Sequence, residues 1–187
     1  YQEVKIDKID NKNLKILYSD GVDVVKNGNR IFAEGKKLNI KSPETFEIIL
    51  SKYYNFPNLI YGKDDKNVYA ISKFDKTYSS KVIKNADVNS FEVMENSMYT
   101  KDKNNIYLEG KRILGIDKDT VKIIELPYIE DKNNVYYRNK KIEGADKNTF
   151  ELTYDFKSVV NGYYSKDKNN VYYENKKLKG IDVKTFK

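Results

Sequence analysis

Polar and apolar positions along this chain fall into one short pattern that recurs, clearest over Tyr164–Phe186 as YSKDKNNVYYENKKLKGIDVKTF. A brief alternating segment, Tyr164–Lys166, runs into Asp167-Lys168-Asn169-Asn170. That tetrad is turn chemistry: an Asp carboxylate accepts the backbone N–H two residues on, and Asn tolerates the left-handed conformation that closes a hairpin. Val171–Glu174 is predicted as a strand from its β-branched and aromatic side chains. Asn175-Lys176 offers a second tight turn, and Lys177–Lys179 leads back out. Asp182, just after Gly180, is placed to cap one helical turn that ends at Phe186. Each copy therefore reads as a small β-meander closed by a single helical turn.

The other copies align with it. Tyr128–Phe150 keeps the turn Asp131, the strand Val135-Tyr136-Tyr137, Gly144 and the cap Asp146, and Tyr99–Val121 keeps Asp102, Ile106-Tyr107-Leu108, Gly115 and Asp117. In Tyr61–Phe91 the distance from Asp64 to the cap Asp87 is 23 positions, against 15 in the later copies. The extra residues fall around Ser72–Ser80 and predict a longer hairpin. Val24–Phe46 is the most degenerate copy, with Asn27 for the turn Asp and Ser42 for the cap Asp. Upstream, Ile9–Leu14 matches only the tail of a unit. The predicted organisation is a partial repeat over 1–23 and repeats over 24–60, 61–98, 99–127, 128–163 and 164–187, with both ends read as trimmed.

Unit starts step by 37, 38, 29 and 36 residues from Val24, whereas a propeller blade usually takes about 40–50. An all-β array of hairpin repeats, open or irregularly solenoidal rather than a propeller, is the expected fold. The apolar connecting residues Ile48-Ile49-Leu50, Ile123-Ile124 and Leu152 read as the terminal strand of each unit. After the turn the first position is always β-branched (Ile31, Val68, Ile106, Val135, Val171) and the second always aromatic (Phe32, Tyr69, Tyr107, Tyr136, Tyr172). The third drifts through Ala33, Ala70, Leu108, Tyr137 and Tyr173. Successive strand residues face opposite sides, so both faces should be at least half buried, with Tyr107, Tyr136 and Tyr172 inside in equivalent places.

The turn-plus-aromatic motif at Asp102, Asp131 and Asp167 resembles that of the DKNYY family of bacterial repeat proteins, and the resemblance runs from Val24 onward. It implies a repeat protein and carries no catalytic or binding residue onto this chain.

Composition narrows the chemistry. The 187 residues include no His and no Cys, which removes the usual general base near neutrality, thiol chemistry, disulfides and thiolate metal sites. Glycines stand singly at turns, with no phosphate-cradling loop, and no cofactor is expected. Paired carboxylates could serve a glycosidase. Here the turn residues Asp102, Asp131 and Asp167 and the cap residues Asp117, Asp146 and Asp182 recur once per unit, where structure alone accounts for them. A calcium loop starting at Asp167 fails at its fifth position, Val171. The net charge of +7 is spread as mixed charge over turns, the pattern of solvated loop tips rather than of a nucleic-acid face. Tyr supplies 17 aromatic residues, and the doublets make Tyr137 and Tyr173 candidates for stacking on sugar, with packing against the neighbouring unit the favoured alternative. No apolar run reaches the ~20 residues of a membrane span. The chain reads as a non-catalytic repeat protein of the bacterial envelope, in the periplasm or at the cell surface after loss of an export signal. It is expected to bind another protein as a scaffold or, alternatively, cell-wall glycan, with a nucleic acid or other anionic polymer the least favoured partner and no small-molecule substrate.

Overall fold

A computed structural model describes residues 13–49, 59–75, 77–94, 97–153 and 164–186. The tail-like segment Ile9–Leu14 therefore lies mostly outside the described residues. The chain is all-β: its strands form five antiparallel sheets of four strands, none closed into a barrel. Within each sheet the strands lie in sequence order, as short hairpin connections dictate. Two compact units divide the chain, Tyr1–Lys111 and Arg112–Lys187.

The first sheet holds β1 (Leu14–Ser19), β2 (Asp23–Asn27), β3 (Arg30–Ala33) and β4 (Lys36–Lys37). The second holds β5 (Glu47–Ile49), β6 (Leu59–Lys63), β7 (Val68–Phe74) and β8 (Thr77–Val82). The third holds β9 (Glu92–Val93), β10 (Tyr99–Lys101), β11 (Ile106–Leu108) and β12 (Lys111–Arg112). The fourth runs through β13 (Lys122–Glu125), β14 (Tyr128–Glu130), β15 (Val135–Tyr137) and β16 (Lys140–Lys141). The fifth runs through β17 (Glu151–Leu152), β18 (Tyr164–Lys166), β19 (Val171–Tyr173) and β20 (Lys176–Lys177). Four short strands, β10 to β13, fit even the shortest repeat because none is longer than four residues.

The connecting segments do not finish the repeat that precedes them. Ile48 and Ile49 pair with Gly62 and Tyr61, and Leu152 pairs with Ser165, so each opens the following sheet. The turn after the cap residue carries the chain off its own sheet, and the free edge it then meets belongs to the next hairpin. The second turn also shifts by one residue. Tyr173 pairs with Lys176, which leaves Glu174-Asn175 as the loop. Glu174 has φ 56°, and Glu34, Glu109 and Arg138 share this left-handed conformation at the equivalent place. A two-residue hairpin loop needs it for its twist to match that of the flanking strands. The helical turn is a single 3-10 turn at Lys147–Thr149, where the Asp146 side chain accepts the Asn148 N–H.

Both faces of a central sheet are buried. In the first unit Ile60, Tyr69 and Ile71 pack with Val24, Ile31 and Ala33 of the first sheet. On the opposite face Tyr61, Val68 and Ala70 pack with Ile83, Phe91 and Tyr107. In the second unit Tyr128, Val135, Tyr137 and Ile142 pack with Tyr172 of the fifth sheet. Tyr107, Tyr136 and Tyr172 are buried in equivalent places, as their spacing predicts. The lengthened hairpin is β7–β8, paired from Tyr69 with Val82 out to Phe74 with Thr77.

Candidate functional site

Each of the later repeats sets one buried carboxylate at its junction with the repeat before. Asp131 Oδ1 accepts the backbone N–H groups of Asn133 at 2.8 Å and Asn134 at 2.7 Å, which closes the turn. Its Oδ2 accepts the Tyr136 hydroxyl at 3.0 Å and the backbone N–H of Asp117, the preceding cap residue, at 2.9 Å. Asp102 takes the Tyr107 hydroxyl at 2.7 Å and the Asp87 N–H at 2.8 Å. Asp167 takes the Tyr172 hydroxyl and the Asp146 N–H, both at 2.8 Å. Asp64 receives the Tyr69 hydroxyl and the Ser42 N–H. Burial alone would push these carboxyls up. The N–H and phenol donors together outweigh it and hold Asp64, Asp102, Asp131 and Asp167 below the ordinary carboxylate value. Burial and the adjacent Asp64 push the Tyr69 phenol up to about 12, and burial with the adjacent Asp131 and Asp167 raises Tyr136 and Tyr172.

A surface ion pair doubles each junction. The ammonium groups of Lys103, Lys132 and Lys168 lie 2.8 Å from the cap carboxylates of Asp87, Asp117 and Asp146. The backbone N–H groups of the same lysines donate to the hydroxyls of Ser90, Thr120 and Thr149. The Lys103 hydrogen bond, then that of Ser90, lowers Asp87 to about 2. At the first junction the charges are exchanged for a different pair: Ser42 takes the cap position and Asp65 the Lys position. A hydrogen bond from Ser42 is the main cause that lowers Asp65. Where the turn Asp becomes Asn27, the Tyr five residues on in the motif becomes Phe32, so carboxylate and phenol are lost together. Asp182 accepts the Lys184 N–H at 2.9 Å.

The turn carboxylates accept several fixed donors each, which suits a structural junction. Among the described residues no group of three or more acidic side chains is placed to hold a metal ion.

The two stacking candidates separate. Tyr137 is buried, its ring 5.2 Å from Tyr128 and its hydroxyl donating to Glu174 at 3.4 Å. The fifth sheet covers it, so Tyr137 offers no ring face to a ligand, and the doublet there is core packing. Tyr173 is 36% exposed, with its ring 5.0 Å from Tyr164 and Phe186 packed on that second ring.

One exposed aromatic was missed. Phe74, at the end of β7, is 83% exposed at the tip of the lengthened hairpin. The signal was present in the sequence as an aromatic residue inside the inserted segment. The loop itself is two residues long, as at Glu174-Asn175. The strands that carry it run seven and six residues against three and two there, so among the described residues this hairpin alone projects such a tip.

A model of the DKNYY family matches residues 61–187. No curated protein and no solved structure matches the chain. Among the described residues no helix is long and apolar enough to cross a membrane.

Proposed function

The chain belongs to the DKNYY family, and from that premise we propose that it is a non-catalytic repeat scaffold of the bacterial cell envelope that works by docking a protein partner. The observation that carries the reading is Phe74. An aromatic ring held 83% exposed at the end of a paired hairpin has no role in the core beneath it. Such a ring gains its burial only when a partner closes over it, as anchor residues of protein interfaces do. The absence of cysteine suits a protein that works outside the cytoplasm. The repeated carboxylates support a binding role rather than catalysis, because each is consumed in joining one repeat to the next.

The test places a photo-crosslinking amino acid at position 74, with a second one at Ile124 as a control, in the presence of envelope extract. A discrete adduct from position 74, displaced by unlabelled wild-type chain but not by Phe74→Ser, supports the reading. Equal labelling from both positions, or none, refutes it. Fractionation of cells expressing the full gene tests the envelope assignment. A second reading rests on the Tyr164–Tyr173 pair, half exposed and 5.0 Å apart. It makes the chain a cell-wall glycan binder, and sedimentation with peptidoglycan that survives high salt and is lost in Tyr173→Ala would favour it.

A further inference from the structure

A cleft of about 610 Å³ opens in the first unit on one side of the second sheet. Its origin is a mismatch in strand length. The strands β6, β7 and β8 are five, seven and six residues long, whereas β10 and β11, from the sheet that packs on this face, have three each. At ~3.3 Å per residue the second sheet outruns its cover by several residues. Leu59 pairs with Ser72 and Tyr61 with Ala70, and Ala70 in turn pairs with Lys81, so these residues form two adjacent rows on a single face. The row carrying Leu59 and Ser72 lies on the overhang. The second cause is side-chain size. Ala70 fills the drifting third position, where later repeats carry Leu108 and Tyr137, and Tyr137 fills the equivalent space with its own ring.

The floor of the cleft is apolar, made by Leu59, Ala70, Ile83 and Met98. Lys81 and Lys111 stand at its mouth. Both are exposed, and neither forms an ion pair among the described residues. Glu109 also lines the mouth and already has a partner. Concave apolar space of this size with a few convergent polar groups is the usual form of a small-molecule site. Two unpaired ammonium groups select the sign of the ligand's charge. We propose that this cleft binds a small amphipathic anion, an apolar chain ending in a carboxylate. The apolar chain lies over Leu59, Ala70 and Met98, and the carboxylate sits between Lys81 and Lys111. The site is independent of protein docking at Phe74, and either can fail without the other.

Isothermal titration of the whole chain with decanoate tests it, against decyltrimethylammonium as the cation of equal chain length and butyrate as the short anion. Saturable single-site binding of decanoate below about 1 mM, at least about tenfold tighter than either control, is expected. Lys81→Ala combined with Lys111→Ala should bring decanoate and the cation to equal, weak binding. Ser72→Phe, a substitution on the overhang rather than in the core, should fill the space and weaken decanoate about tenfold or more with an unchanged melting temperature. The proposal is overturned if decanoate does not bind, if the cation binds as well as decanoate, or if well-folded Ser72→Phe binds decanoate like wild type.

Discussion

Replacing Tyr136 by Phe removes one hydroxyl and leaves the buried ring in place. The Asp131 carboxylate then falls from five donors to four while remaining inside the junction. A hydrogen bond to a charged group contributes about 1.5–3 kcal/mol, so Tyr136→Phe should cost about 2 kcal/mol. Asp131→Asn removes the charge and presents an amide NH2 to the side of the junction where the Asp117 N–H and the Tyr136 hydroxyl both point inward. The hydroxyl can turn to the Gly115 carbonyl, 3.0 Å away, so the Asp117 N–H is the buried donor that loses its acceptor, at a cost of about 2–3 kcal/mol. In the double variant the phenol is gone, so only the Asp117 N–H is left in conflict, and the total should be about 3 kcal/mol rather than the sum. The first repeat already carries this double form as Asn27 with Phe32. Urea unfolding at pH 7 of wild type, both singles and the double closes the cycle, and in thermal melts each kcal/mol should move the midpoint by about 2–4 °C at this chain length. Additivity within about 0.5 kcal/mol would refute a shared hydrogen-bond centre.

Acid should loosen the junctions. Asp87 lies at about 2 in the folded chain against an ordinary 3.8, so its contribution is complete above 3.8 and is lost as pH falls through about 2. The four buried turn carboxyls are lowered too and act in the same direction, so the urea midpoint should drop over that range, and less steeply in Asp87→Asn. A midpoint independent of pH there would contradict the assignment. Ser42→Asp should lower stability by up to about 1 kcal/mol by setting a second carboxylate beside Asp65, and adding Asp65→Lys should restore it. A single variant as stable as wild type in urea would show that the first junction ignores charge. Gly62→Ala places a Cβ 2.5 Å from the Phe46 ring and 3.1 Å from the Glu47 carbonyl. Such crowding of a buried contact costs about 1–3 kcal/mol. An unchanged urea midpoint would mean that the ring moves aside freely.

Five aligned copies in one chain made the strand interiors legible, because a position that stays β-branched or aromatic in every copy, as at Ile106-Tyr107 and Val171-Tyr172, can only be core. Strand membership was not. Ile48 and Leu152 are apolar whichever edge they join, and the cap turn, not the residue, decides between the two. The turn and cap roles of Asp131 and Asp117 were readable from local spacing, but their meeting across the junction was not, since backbone N–H groups leave no mark in a sequence. Their signature was indirect: Asn27 changes with Phe32, and Ser42 changes with Asp65. Tyr137 and Tyr173 look alike as residues and differ only in whether a further sheet covers them. Ala70, the small residue in the drifting column, marked where space would open, yet the length of the overlying strands settled that it stays open.

Every sheet draws its first strand from the tail of one repeat and its other three from the next. The repeat read from the sequence is therefore offset from the segment that forms a sheet. An unequal crossover between two later copies rejoins a tail strand to a following hairpin and a cap Asp to a following turn Lys, wherever in the pattern the break falls. Such a gene can gain or lose whole copies in one event, and every descendant inherits intact sheets. The first junction is the exception. A crossover that brought an Asp cap ahead of Asp65 would set two carboxylates face to face.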